Sequence, residues 1–319
     1  MRLLLGRRAL NIVAAAGLVA GCGSATAITA STAPEIRDIT VGVVASESSA
    51  GIYVAQNQDL FKKAGLTVSI QTITGAASVL PDLLHGGVAI VGAQLTTFIE
   101  AQAKGVARFR ILAPGGSLGP RVQSVMVLPH SPIVSPQQLK GATVAVDAVG
   151  GINQILAEET LRDYGVGPDQ VHYVGIPFQD MGAALAAHRV DAAYCAEPYC
   201  TELEQQEGAA SVLDPDTGPA QNLPISAYST TQSWARKYPG TAAAFAHAID
   251  QADALIATNP VVLQKAMEDQ LHIPPGVADV MASGTFPTSD NVVQLQRVAN
   301  LLQEFGVLKK AFKVKGMLS

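Results

Sequence analysis

From Ile36 onward the sequence alternates short runs rich in β-branched residues with stretches of helical period, and no other feature narrows the fold as much. Residues 39–45, 68–73, 88–91, 111–113 and 125–128 read as strands. Between them, Ser48 or Ser49 caps a helix that runs to Ala64 and is stopped by Gly65. A short helix covers 79–85, and Thr96 or Thr97 caps another that ends at Lys104, before Gly105. The pattern then restarts. Residues 144–146, 171–174 and 192–195 are strands, and helices are expected from Gly150-Gly151 to Tyr164, over 181–188, and from Pro198 at N1 to about Glu207. After the Pro/Gly/Asp loop 214–219 one more strand is expected at 225–229. The rest is helical, over 242–258, 260–271 and 291–305. Strands separated by helices of this length need crossover connections, so the fold class is α/β with mostly parallel sheets.

Two such units followed by a helical C-terminal segment imply two lobes joined by two crossings. The Pro-rich stretch from Pro129 to Pro136 marks the first crossing, and the segment around Leu223 to Tyr228 the return. The expected organisation is therefore 36–127 with 229–319 as one lobe and 128–228 as the other.

The front of the chain has a different character. Arg2, Arg7 and Arg8 form a cationic start, and a mostly apolar run of 12 residues, 9–20, follows. A bilayer-spanning helix needs about 20 apolar residues, so this run fits a secretory signal instead. Val19-Ala20-Gly21-Cys22 resembles a bacterial lipobox, which implies cleavage after residue 21 and acylation of Cys22. Residues 22–35, rich in Ser, Thr, Ala and Gly, then read as a flexible tether. Cleavage removes three Arg and no acid, leaving 18 Lys and Arg against 26 Asp and Glu, a net charge near −8. That excludes a nucleic-acid surface, which needs a basic stripe.

Catalytic signatures are absent. There is no phosphate loop, no Gly-x-Gly-x-x-Gly, no His-Glu-x-x-His and no Gly-x-Ser-x-Gly, so neither cofactor nor metal is expected. No two of the six His lie within four residues of each other. Cys195 and Cys200 are left as either a disulfide or two small buried thiols. More telling is where polar residues fall. In open α/β sheets ligands bind beyond the carboxyl ends of strands, where helix N-termini offer free N–H groups. Four such corners are polar or small: Ser46 to Ser49, Gln94 to Thr97, Asp147 to Gly151, and Glu197 to Tyr199. Together they predict a cleft, although for any one Ser or Thr helix capping alone is the simpler role.

Beyond this reading, the chain resembles the extracytoplasmic solute-binding proteins of ABC importers, in the nitrate/sulfonate/taurine and thiamine-pyrimidine-precursor group. The resemblance runs from residue 38 to about 308. It is carried by Ile52-Tyr53-Val54-Ala55 through Leu60-Phe61-Lys62-Lys63-Ala64-Gly65-Leu66, Ser131-Pro132-Ile133, and Leu139-Lys140-Gly141-Ala142-Thr143-Val144-Ala145. Arg189-Val190-Asp191-Ala192-Ala193, Glu197-Pro198-Tyr199 and Phe305-Gly306-Val307-Leu308 complete it. Two places depart from the pattern: Gly87-Val88-Ala89-Ile90 lacks the Asp that relatives usually carry after the Gly-x-Val of the third strand, and His188 stands where they often carry Gly.

The resemblance implies a type II periplasmic-binding fold, with two lobes on a two-strand hinge and a small solute clasped between them. Ligand contacts are implied at Ser46, Glu47, Ser48, Ser49, Gln94, Thr96, Thr97, Ser124, Asp147, Gly150, Gly151, Asn153, Glu197 and Tyr199. Implied partners are a permease with a separate ATPase and, through the lipid, the outer face of a bacterial membrane; a monomer is expected. Helix N-termini favour an anion such as a sulfonate or nitrate, whereas Glu47, Asp147 and Glu197 favour an amino-bearing ring such as an aminopyrimidine. Both stay open here. The rivals are an enzyme on the same fold, of pyrimidine-synthase or menaquinone-pathway type, and a ligand-sensing lipoprotein.

Overall fold

Two five-stranded sheets carry the chain in the computed structural model, which describes residues 33–216, 220–288 and 291–318. The export segment, Cys22 and nearly all of the expected tether lie outside the described residues. The strands are β1 (Asp38–Val44), β2 (Thr67–Ile73), β3 (Ile90–Gln94), β4 (Phe109–Pro114), β5 (Gln123–Val127), β6 (Thr143–Val146), β7 (His172–Gly175), β8 (Ala192–Ala196), β9 (Ala210–Leu213) and β10 (Ser226–Thr231). The helices are α1 (Ala50–Asn57), α2 (Leu60–Lys63), α3 (Ala76–His85), α4 (Leu95–Ala103), α5 (Ile152–Arg162), α6 (Phe178–Ala186), α7 (Tyr199–Glu207), α8 (Gln232–Lys237), α9 (Pro239–Thr258), α10 (Pro260–Leu271), α11 (Pro275–Ala278) and α12 (Val292–Glu304).

The first sheet is ordered β2-β1-β3-β10-β4 and the second β7-β6-β8-β5-β9. In each, four strands share one direction and the fourth in the order runs against both its neighbours: β10 in the first sheet, β5 in the second. β5 therefore belongs to the second sheet, which corrects the expected first crossing. The chain crosses over 115–122, ahead of β5, and not at Pro129 to Pro136. That Pro-rich stretch is the loop leaving β5, since residues without an N–H end a strand as readily as they mark a linker. The return runs through 220–225, and the two crossings lie side by side. Leu118 N–H donates to the Leu223 carbonyl (3.0 Å), Asn222 N–H donates to the Leu118 carbonyl (3.2 Å), and Ser117 bridges to Pro224. A third segment joins them, because Ser117 also bridges to Thr285. Glycine is required where the first crossing passes the end of β1. A Cβ on Gly116 would sit 2.7 Å from the Ser48 Cα, and one on Gly115 would sit 2.1 Å from the Ser226 Oγ.

Burial follows the alternation. Val41 and Val43 face α1, α9 and α10, packing with Ile52, Phe245 and Ile249, while Val91 and Ala93 face α3, α4 and α12, packing with Leu83, Phe98 and Leu302. The second sheet has its own smaller cores, around Tyr194 and Leu161 on one face and Met181 and Leu203 on the other. The helix α5 joins a core of each lobe. In α5, Ala157 and Leu161 pack on the second sheet, but Ile152, Ile155 and Leu156 are buried with Phe98 and Leu302 against the first.

Local differences from expectation have local causes. The helix read to Ala64 is broken into α1 and α2 by Asp59, whose φ of 53° is left-handed. Thr96 and Thr97 are not caps: α4 starts at Leu95, with Gln94 in the cap position. Ser48 and Ser49 make no side-chain capping bond, because residues 47–49 form a 3-10 turn ahead of α1. Pro198, expected at N1, is the cap residue of α7 and follows a cis peptide bond.

Candidate functional site

Where β1 and β8 end, each lobe turns a glutamate inward. The Glu47 N–H donates to the Glu197 carbonyl at 2.9 Å, a direct backbone bond from one lobe to the other. Both side chains are buried, with 1% and 3% of their surface exposed. Glu47 Oε1 accepts from Ser283 Oγ (2.9 Å) and Gly284 N–H (2.9 Å), while Oε2 is buried with no partner among the described residues. Glu197 accepts from Thr201 Oγ1 (2.9 Å) and Thr201 N–H (3.2 Å), which caps α7, and from Ala282 N–H (3.2 Å). Capping and facing the cleft are thus performed by one carboxylate.

These groups border a cavity shared by both lobes. Ser46, Glu47, Ser48, Ser49, Gln94, Gln123, Phe178, Glu197 and Ser226 line it, and no Lys, Arg or His does among the described residues. It encloses about 20 Å³, the room of one water molecule. Burial in so small a space, away from cations, disfavours ionisation. Burial pushes Glu47 up to about 7, against the pull of Gly284 and Ser283 and with a further push from the Glu197 charge. Glu197 is also raised, by burial first. Asp216, buried beside the cavity wall with its carboxylate accepting from Gln123 N–H (2.5 Å), is raised to about 9.

The remaining corner closes the cleft further out. Asp147 accepts from Asn153 Nδ2 (2.8 Å) within its own lobe and from Gln94 Nε2 (2.5 Å) across the cleft. Burial raises it to about 6, against these two donors and the Ala148 N–H. Beyond that bond lies a second cavity, of about 570 Å³, bordered by Gln94, Thr96, Thr97, Gly150 and Gly151 with apolar side chains of α3 and α4.

The fourteen expected contact residues thus divide. Ser46, Glu47, Ser48, Ser49 and Glu197 border the inner cavity; Thr96, Thr97, Gly150 and Gly151 border the outer one; Gln94 borders both. Asp147 and Asn153 hold the bar between them. Tyr199 is set back, stacked on Phe178 at 6.1 Å. Ser124 does not reach the cleft: it is buried in β5 opposite Cys195, and its neighbour Gln123 takes the lining position. Arg121, at the end of the first crossing, is exposed and pairs with Glu204 at 3.2 Å. Cys195 and Cys200 are both free and buried. Sequence reading missed Gln123, Ser226 and the 282–284 loop. Nothing in a run of helical tail marks Ser283 and Gly284 as the groups that hold Glu47.

Comparison with known proteins places this geometry in context. The family model described as NMT1/THI5 like matches residues 46–262. YtlA of Bacillus subtilis (strain 168), provisionally described as a binding protein, is 25% identical over 207 residues, which are 64% of this chain and 61% of YtlA. The match therefore spans under two thirds of that relative. Among solved structures, the alkanesulfonate-binding protein SsuA of Xanthomonas axonopodis pv. citri, bound to MOPS, superposes with a TM-score of 0.75 at 17% identity, over 89% of this chain and 99% of its own. The nitrate-binding protein NrtA of Synechocystis PCC 6803 gives 0.76 at 16% identity, over 90% and 86%. The desulfurization enzyme DszB gives 0.65 at 17%, over 88% and 96%. The two-lobed architecture is thus that of periplasmic binding proteins, a fold that also carries enzymes.

Proposed function

Because this chain belongs to the NMT1/THI5-like family, we propose that it is the solute-binding component of an ABC importer, capturing a small solute between its lobes and passing it unchanged to a permease with a separate ATPase. One observation carries the reading: Glu47 lines a small inter-lobe cavity, and its buried Oε2 has no partner among the described residues. A lone buried acceptor costs free energy unless a donor arrives, so the site is built to be completed from outside.

The same observation favours one of the two solute classes. An anion such as nitrate or a sulfonate would meet Glu47 and Glu197 with no Lys, Arg or His lining the cavity to oppose them. An amine-bearing head, as on an aminopyrimidine, supplies the missing donors and draws Glu47 into its charged form. The relatives that bind nitrate and alkanesulfonate share the architecture; the lining of this chain argues for a different guest. Capture by lobe closure follows from the bonds that span the cleft, Glu47 to Glu197 and Gln94 to Asp147, which form only when the lobes meet.

Titration calorimetry against nitrate, MOPS and an aminopyrimidine, with small-angle scattering to follow compaction, tests the reading. We expect heat and compaction with the aminopyrimidine alone. Binding of nitrate or MOPS in its place, or conversion of the aminopyrimidine to a product, would overturn it in favour of an anion carrier or an enzyme respectively. The chain is further proposed to sit outside the cell membrane on an acylated Cys22. A globomycin-sensitive shift in mobility, lost in Cys22→Ala, is the expected result, and an unshifted, freely released protein would refute it.

A further inference from the structure

Resting on that reading, we propose that the solute has two parts: an amine-bearing head for the inner cavity and an apolar alkyl or aryl body for the outer one, with Gln94 at the throat between them. The inner cavity holds the room of one water, so only a head group fits there. The outer cavity, about 570 Å³, falls in the range that binds small organic molecules. Gln94 borders both, and its side chain reaches across the cleft from there, Gln94 Nε2 donating to Asp147 Oδ2.

The chemistry of the outer wall is opposite to that of the inner one. Leu80 and Leu84 of α3, Ala101 of α4, Val106, Val149 and Val307 line it. Three of these leave large apolar surface to water: Leu84 is 40% exposed, Val106 53% and Val149 62%. Val149 lies in the lobe opposite the other two, so a body between them is gripped from both sides when the lobes close. The charged residues at the rim, Lys104 and Glu100, are paired with each other at 2.9 Å and leave the wall without a net charge. Apolar surface next to an unfilled donor-seeking site fits one amphipathic guest better than two separate ones, since both halves are completed by the same closure.

A homologous series of n-alkylammonium ions, from methyl to octyl, measured by calorimetry on the full chain, tests this. Each methylene reaching the outer cavity is expected to tighten binding about four-fold over the middle of the series. In Val106→Glu, an exposed position whose folding is checked by thermal melting, the increment per methylene should fall below two-fold. A flat series with measurable binding of the short ions would overturn the two-part solute and leave the amine-binding site standing. Increments that persist undiminished in Val106→Glu would place the chain elsewhere and overturn it too. If no member binds while MOPS or nitrate does, the underlying reading fails as well.

Discussion

The surface along which the lobes meet has two unlike halves. Near the hinge it is polar and crowded with acids: Glu47, Glu197 and Asp216 are buried and held by backbone N–H groups, with no cation among the cavity's lining residues. Away from the hinge it is apolar, with Ile152, Ile155 and Leu156 of α5 sharing a core with Phe98 of α4 and Leu302 of α12. Arg162 at the end of α5 lies over the Phe305 ring at 4.3 Å, extending that contact. Apolar burial is favourable and non-directional, so the α5 contact with α4 and α12 supplies energy of closure whatever the guest. The polar half contributes little stability while empty, because Glu47 Oε2 is unpaired, and on the proposed function it is the half that selects the guest. Closure and selection are thus assigned to different residues.

The harshest way to break that division is a charge in the apolar half. Ile155 is 2% exposed, and Ile155→Asp should open the lobes or unfold the protein outright, while Ile155→Ala should cost about 2 to 5 kcal/mol. Scattering should show the Ala variant expanded in the absence of solute. An unchanged radius with full stability would mean that α5 does not hold the lobes together. Next in size is Glu47→Gln. Removing the charge should weaken binding of an amine-bearing solute by about a hundred-fold, the order expected for a hydrogen bond to a charged group, with melting temperature unchanged or raised because an unpaired buried acid is gone. Loss of stability without loss of affinity would reverse the assignment.

How much of this was legible beforehand differs between the halves too. The alternation of β-branched runs and helices gave both sheets, since a buried parallel strand has few other ways to be written. Glu47, Asp147 and Glu197 stood out as acids just beyond strand ends. The crossing was misplaced because Pro129 and Pro132 punctuate any loop alike, whereas the true crossing depends on Gly115 and Gly116 passing Ser226 and Ser48, a contact between residues more than 60 positions apart in the chain. β9 was missed because Ala210–Leu213 is a four-residue edge strand with only its last residue buried. The nature of the guest was legible only as two open alternatives, an anion or an amino-bearing ring. Acidic side chains at a site say little until the absence of a lining cation is known, and that is a property of the cavity as a whole.

Acidity offers a finer probe of the polar half. Glu47 holds its proton more tightly folded, at about 7, than unfolded, near 4.5. Between those values the folded state binds more protons, so stability should be highest at the low end, fall by up to about 1.4 kcal/mol per pH unit, and level off above 7. Asp147, raised to about 6, adds to the fall, whereas Asp216 and Asp253, raised to about 9 and 8, extend it upward. The Glu47 share is therefore read as wild type minus Glu47→Gln, in melts from pH 4 to 9. Affinity for an amine-bearing solute should move the opposite way, rising through the same window as Glu47 is freed to ionise. A carrier of anions would instead bind best at low pH.

The smallest expected effect lies where the two halves touch. Gln94→Ala removes the donor that reaches Asp147 across the cleft, and the exchange of one side-chain hydrogen bond for water is worth about 1 kcal/mol. Asp147 keeps Asn153 and stays in place, so stability should drop by no more than that. The informative reading is kinetic. If the bond only bars the throat, its loss should speed association and dissociation alike and leave affinity within a few-fold in stopped-flow measurements. A large loss of affinity with unchanged rates of entry would instead make Gln94 part of the grip on the head group, and the boundary between selection and closure would move outward by one residue.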